Sequence, residues 1–419
     1  MKSVLVKGPA LSHSGYGEHT RFILRSLRTR PDLFDVYLIN INWGQTSFIA
    51  EDSEERRWMD FLLNKTIMSF NQGLRPDISI QVTVPGEFEN LAEYNIGATA
   101  GTETTKISPQ WLEKCMRMDK LIVISNHTKF AFENTTYPAF DSVKEENFDA
   151  KVTCPIEVIG YPVKKVEKEN IDLDLKYDFN FLTVGTWITR KNLENTIKWF
   201  VTEFYDQEVG LIVKTSKAKN SIRDRIITLN GLKELLREFG EDRKCEVKLL
   251  HGDLSEEEMT GLYNHPSVKA LVSFSHGEGY GLPIFEAAYN GLPIITSNWG
   301  GQVDFLNMPV KEKGGKLKIK PMFSTVAYDL KPIQEEAVWE PVLIKNSMWC
   351  FPKEWSAKKE MRSVYKGYNT ALSKATKLQK WVLENFQEEK MHKNLCDLVY
   401  SPLQEEEEWQ EQLNEIQVS

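Results

Sequence analysis

A chain of 419 residues exceeds what one ordinary hydrophobic core supports, so two domains are the natural division. Its 41% apolar content and 11 tryptophans exclude wholesale disorder, and a net charge of −8 argues against a broad nonspecific grip on nucleic acid. The five cysteines (Cys115, Cys154, Cys245, Cys350, Cys396) are scattered without a CxxC pair, which excludes a disulfide scaffold or zinc signature and favours a reducing compartment.

The N-terminus offers only Val4-Leu5-Val6 before Lys7-Gly8, too short for a signal peptide. No run approaches the ~20 apolar residues that span a bilayer, so a cytoplasmic protein without a transmembrane segment is expected. Ser3 to Val6 reads as a buried strand, followed by a loop carrying Gly15-Tyr16-Gly17 and a helix whose apolar face is Phe22, Ile23, Leu24 and Leu27. A strand, a glycine-bearing turn and a helix present backbone amides to a phosphate. A dinucleotide fingerprint is disfavoured, because Thr20 holds the third glycine position and Asn42, not an acid, follows the strand Val36 to Ile41.

Further strands are read at Ile78 to Val84, Tyr94 to Ala98, Lys120 to Ser125 and Pro155 to Ile159. Helices are read at Glu54 to Leu63, Pro109 to Met118 and Thr128 to Asn134. Alternation of this kind predicts a parallel sheet covered by helices. Lys164 to Asp178 is charged and poor in apolar residues, the composition of a solvated linker; its Asp172, Asp174 and Asp178 make only a weak cation motif.

The same grammar then restarts. Asn180 to Val184 is a strand, Gly185 to Asn192 a loop and Leu193 to Phe204 a helix, with strands at Leu211 to Lys214, Cys245 to Leu250 and Leu292 to Thr296. Ser255-Glu256-Glu257-Glu258 fits a capping box that opens a helix to Tyr263. One long helix is expected from about Ser356 to Cys396, returning to strap the first domain, before an acidic tail at Glu405 to Glu408. The expected division is residues 1–163, residues 164–355, and a helical segment with tail at 356–419.

The chain is organised around His276 to Ala288, which follows the strand-like run Val268 to Phe274. Gly277, Gly279 and Gly281 let amides approach an anion, Pro283 suits a helix start, and a helix N-terminus favours phosphate. Glu278 and Glu286 flank this cradle; carboxylates repel phosphate and accept from hydroxyls. Phosphate-friendly amides beside hydroxyl-friendly carboxylates suggest a sugar-nucleotide site. His13, His19, His276, Trp187 and Trp299 border the candidate loops, each equally readable as an ordinary loop or packing residue.

Glu278 and Glu286, with seven residues between them, set in Gly277-Glu278-Gly279-Tyr280-Gly281-Leu282-Pro283 and Glu286-Ala287, resemble the E-x7-E motif of retaining glycosyltransferases of the GT-B architecture, family four in the usual classification. The likeness is strongest over Phe181 to Leu306. It implies an α/β fold of two facing Rossmann-like domains with a C-terminal helix crossing back to the first. It implies transfer of a sugar from a nucleotide-diphosphate sugar to an acceptor hydroxyl, with no separate cofactor. Glu278 would face the donor sugar, and the amides of Gly279, Tyr280, Gly281 and Leu282 the sugar and diphosphate. Glu286 would hold the ribose, Lys191 the diphosphate, and Gly15, Tyr16 and Gly17 would close from the first domain. The family often has arginine after the glycine at 185, where Thr186 stands; Arg190 or Lys214 would supply that charge. Glu103 is a further acceptor-side candidate.

No Asp-x-Asp lies in a convincing loop, so the expectation is metal-independent chemistry, with Glu278 and Lys191 as the catalytic pair. The acceptor is a carbohydrate or other hydroxyl compound, nucleic acid entering only as a modified base. A nucleotide-sugar epimerase or a non-catalytic nucleotide-sugar-binding protein is the alternative.

Overall fold

The structure, a computed structural model, describes residues 1–400 apart from 45, 142 and 313, so the acidic tail lies outside the described residues. The first sheet is built from β1 (Lys2–Gly8), β2 (Phe34–Asn40), β3 (Ile78–Val82), β4 (Tyr94–Thr99), β5 (Lys120–Val123) and, after a hairpin of β6 (Tyr137–Asp141) and β7 (Glu146–Ala150), β8 (Ile156–Val158). Its strands are parallel in the order β2-β1-β3-β4-β5-β8. Strands such as Ile78–Val82 are buried at every residue, because helices cover both faces of the sheet. Those helices are α1 (Gly15–Arg28), α2 (Glu54–Asn71), α3 (Pro109–Cys115) and α4 (Asn126–Glu133).

The second sheet repeats the plan with β9 (Asn180–Val184), β10 (Gly210–Lys214), β11 (Glu246–Leu250), β12 (Val268–Ser273) and β13 (Ile294–Ser297). Its helices are α5 (Leu193–Phe204), α6 (Ile222–Arg237), α7 (Glu256–Tyr263), α8 (Leu282–Tyr289) and the single turn α9 (Val303–Leu306). After α9 come a hairpin of β14 (Asn307–Lys311) and β15 (Leu317–Pro321), the edge strand β16 (Ser324–Val326), and a ribbon of β17 (Tyr328–Pro332) and β18 (Met348–Pro352). The sheet order is β11-β10-β9-β12-β13-β16, all parallel. The fold class is therefore the expected one: α/β, with two doubly wound parallel sheets. The capping box at Ser255 and Glu258 is also present.

Four expectations need correction. Helix α1 begins at Gly15, because the Ser14 hydroxyl caps it by accepting from the Gly17 amide; the glycines form its first turn, not a loop before it. The long terminal helix is three helices: α10 (Glu354–Lys366), α11 (Tyr368–Asn385) and a last one at 388–400. The breaks fall at Gly367 and at Phe386, the latter donating its amide to Val382 and accepting from Val163. The last helix crosses to the first sheet, where Cys396 donates to the Ser26 carbonyl and Tyr400 packs edge-on to Phe34. The charged stretch at 164–178 is no free linker. The Glu169 amide bonds the Glu257 carbonyl, and Leu173 is buried. The three two-stranded ribbons among the described residues were not expected, since short, mostly exposed strands such as β7 and β15 give little signal in the sequence.

Candidate active site

In the second sheet the strand order reverses at β9 and β12, the place where open α/β sheets leave a crevice beyond the strand ends. The loops leaving these two strands are stitched together. The Arg190 carbonyl accepts from the His276 amide at 2.8 Å and the Ser275 hydroxyl at 3.1 Å. Asn192 adopts a left-handed conformation (φ 54°) and its side-chain amide donates to the Phe274 carbonyl, which fixes Lys191 in the crevice.

Lys191 Nζ lies 2.7 and 2.8 Å from the two Glu278 carboxylate oxygens, and Arg190 reaches Glu278 at 3.3 Å and the Gly277 carbonyl at 2.7 Å. The Glu278 side chain is 7% exposed, Lys191 15% and Arg190 18%. Burial by itself would raise the Glu278 carboxyl, but the Lys191 and Arg190 charges outweigh it and hold it below the usual carboxylate range. Glu103, from the loop after β4, pairs with Arg190 at 3.3 Å across the two domains. Of the two candidates for the missing positive charge at Thr186, the structure brings Arg190 to the cluster. Lys214, one strand away at the end of β10, donates to the Gly252 carbonyl instead.

Helix α8 starts at Gly281, whose backbone is left-handed (φ 91°, ψ 58°), with proline in the first turn. In this first turn Pro283 has no N–H and the Ile284 and Phe285 amides both donate to the Gly281 carbonyl at 2.9 Å, which leaves the Leu282 amide at the helix start for an anion. Gly277 and Gly279, expected to bring amides to a ligand, also lie against the first domain. A Cβ on Gly277 would lie 2.2 Å from the Glu103 carbonyl oxygen, and one on Gly279 2.7 Å from that of Ala100. They seat the first domain, whose Ser125 hydroxyl donates to the Gly279 carbonyl at 2.7 Å. The Tyr280 ring is buried among Tyr161, Phe285 and Phe305.

Glu286 sits in the second turn of α8 and accepts from the Tyr263 hydroxyl at 2.8 Å. Burial pushes its carboxyl up to about 7, only partly opposed by Tyr263 and Lys164. Lys164 bridges the domains, 2.9 Å from Glu18 of α1 and 2.5 Å from Glu256 of α7. Burial would raise the Glu18 carboxyl, yet Lys164, Arg21 and Arg25 keep it far below the usual range. Helix α1 meets the loop before α8 through Tyr161, whose ring centroid lies 5.6 Å from His19 and 4.9 Å from Tyr280.

Gly15 is open, Gly17 is packed against the Ser12 carbonyl, and Tyr16 stacks near Trp43 at 4.4 Å while its hydroxyl bonds Thr99 at 2.8 Å. His19 is fully buried, and burial lowers it to about 3. His276 is held by the Cys350 carbonyl at 2.7 Å and stacked on Trp349, an anchor for β18. Trp187 donates to Glu194, and Trp299 packs on His127. Sequence reasoning passed over Lys164, Glu18 and Tyr263; only their positions at element ends gave any hint.

At the first sheet's own reversal, between β1 and β3, a cavity of about 410 Å³ is lined by Lys7, Asn42, Glu87, Glu89 and Lys114, among others. Among the described residues no group of three or more potential metal ligands converges, and no helix is long and apolar enough to cross a membrane.

No family model matches the chain. Among curated proteins it is similar to the DNA repair protein RecO of Halalkalibacterium halodurans, 25% identical over 196 residues. That match takes in 46% of this chain and 65% of that protein, less than two thirds of its length. Solved structures match almost end to end. Sucrose-phosphate synthase of Thermosynechococcus elongatus aligns with a TM-score of 0.60 at 13% identity, over 96% of this chain and 99% of that one. HepE of Anabaena, solved with UDP and glucose, gives 0.57 at 13%, over 96% and 100%. A glycosyltransferase of Rickettsia africae gives 0.58 at 13%, over 96% and 98%. The fold is thus that of the GT-B glycosyltransferases, two Rossmann-like domains facing one another.

Proposed function

We propose that the chain is a retaining glycosyltransferase that moves a sugar from a nucleotide-diphosphate sugar to an acceptor hydroxyl. The observation that carries the reading is the buried Glu278–Lys191–Arg190 cluster beside the glycine-turned start of α8, at the reversal of the second sheet. Breaking the anomeric C–O bond leaves its electron pair on a diphosphate, so stabilising that charge is the main demand. Lys191, Arg190 and the Leu282 amide at the start of α8 meet it, in a metal-independent reaction. The arriving diphosphate competes with Glu278 for Lys191, and the carboxylate so released accepts from the donor sugar's hydroxyls. Glu286, ionised, accepts from the ribose hydroxyls. The acceptor oxygen forms its bond on the face the leaving group vacates, and its proton passes to the departing phosphate oxygen.

The acceptor side is assigned to the first domain, where Glu103 reaches the cluster and the polar cavity at β1 and β3 has the size of a small-ligand pocket. Its mixed lining of carboxylates, lysines and an asparagine suits a carbohydrate. The proposed setting is cytoplasmic.

A panel of nucleotide sugars read by thermal shift identifies the donor, because a ligand that binds only the folded state raises the melting temperature. Incubation of that donor, labelled in the sugar, then gives transfer or slow release of the sugar with the nucleotide diphosphate. An isomerised nucleotide sugar makes the protein an epimerase, and binding without turnover over a broad acceptor panel makes it a non-catalytic binder.

A further inference from the structure

We propose that the β14–β15 ribbon is a docking surface for an anionic lipid bilayer. The ribbon pairs with no other strand among the described residues, and its outer strand β15 is exposed at Leu317, Lys318, Ile319 and Pro321. Between residues 311 and 320 the sequence holds five lysines against the single Glu312, in a chain whose net charge is −8. Leu317 is 65% exposed and Ile319 63%, and both alternate with Lys316, Lys318 and Lys320.

The pairing sorts these residues. Ile319 lies opposite Pro309 and Leu317 opposite Lys311, so one face carries an aliphatic pair with prolines and a lysine at its end. The other face carries Lys316, Lys318 and Lys320, of which Lys320 pairs with Glu312 at 2.7 Å. Lys316 and Lys318 have no ion pair among the described residues. An aliphatic face flanked by long cationic side chains fits the boundary of a bilayer. The apolar groups enter the acyl region while the lysines extend to lipid phosphates. A nucleic acid backbone would reward the lysines and leave both aliphatic side chains in water.

The position gives the docking a purpose. Strand β14 follows directly on α9, whose Asp304 accepts from the Asn126 amide of the first domain at 2.7 Å. A bilayer held by the ribbon therefore lies beside the mouth of the interdomain crevice. The inference does not depend on which reaction the crevice performs.

Flotation of the full chain with phosphatidylcholine vesicles, with and without phosphatidylglycerol, tests it. Capture is expected on the anionic vesicles alone. Lys316→Gln with Lys318→Gln is expected to weaken capture roughly thirtyfold, from about 1 kcal/mol per lysine near a charged surface. Leu317→Ser with Ile319→Ser keeps the charge and is expected to weaken it about tenfold or more, from the CH₂ groups withdrawn from the acyl region. Unchanged melting temperature and nucleotide binding show the variants folded. No capture of the wild type, or capture indifferent to both variants, overturns the proposal. Lysine-dependent retention of duplex DNA without vesicle capture also overturns it, making the ribbon a nucleic-acid contact.

Discussion

Glu278 is held by two cations, and removing its charge separates its two jobs. Glu278→Gln is expected to lower kcat by about 100-fold or more, the scale of a lost charged contact to the reacting sugar. The same change frees Lys191, so the nucleoside diphosphate alone should bind as well as before or better. Weaker diphosphate binding, measured by calorimetry, would mean that Glu278 and not Lys191 organises the phosphate site. Lys191→Ala is expected to do the reverse, weakening the diphosphate roughly 10–100-fold through loss of a charge-assisted hydrogen bond. If the affinity is unchanged, the lysine has no part in donor binding.

Glu286 gives the site a pH dependence. Its carboxyl is raised to about 7, and the ionised form is the one that accepts from hydroxyls. Donor affinity should therefore rise with pH, by about tenfold between pH 6 and pH 8, as the ionised fraction grows. The folded chain binds this proton more tightly than the unfolded chain does, so the group's contribution to stability declines as pH climbs through about 7. A titration of donor affinity in Glu286→Gln should be flat; a slope that persists assigns the proton to another group.

At the scale of elements, the loop between β12 and α8 does two things at once. Gly281 turns the chain into the helix, while Gly277 and Gly279 accept the backbone of the first domain. Gly277→Val places a branched side chain where the Glu103 carbonyl lies, and overpacking of this kind costs about 1–3 kcal/mol. The expected result is a parting of the domains, seen as a larger radius of gyration by small-angle scattering, with turnover falling more than diphosphate affinity. An unchanged scattering profile with normal turnover would show that the contact is incidental.

For the whole molecule, the last helix ties the chain's end to its beginning. Leu395 and Val399 are fully buried, and His392 packs 5.8 Å from Phe22. Truncation after residue 387 uncovers this apolar seam. It should lower the melting temperature by several degrees or split unfolding into two transitions. A single unshifted transition in calorimetry would show that the strap adds nothing to the first domain.

Much of this architecture was legible in the sequence, and the reason is local. Buried parallel strands such as β10, with Leu211, Ile212 and Val213 in a row, are apolar runs, and caps such as Ser255 with Glu258 act within four residues. The glycine-proline frame around Glu278 likewise marks a strand-to-helix turn by its own backbone demands. The break at Phe386 was not legible, because helical spacing continues across it and its carbonyl is taken by the distant Val163 amide, while the break at Gly367 was masked by helical spacing on both sides of the glycine. Nor could the sequence choose between Arg190 and Lys214, since a lysine at a strand end looks the same whichever carbonyl it meets.

What the sequence determined by itself was a pair of α/β units and a loop with two carboxylates in a glycine frame, because hydrophobic period and turn chemistry are properties of neighbours along the chain. The tertiary structure alone decided that Glu278 is gripped by Lys191 and Arg190, that Glu103 crosses to join them, and that two of the glycines seat a domain. Those contacts join residues from 87 to 179 positions apart, and packing alone brings such distant groups together.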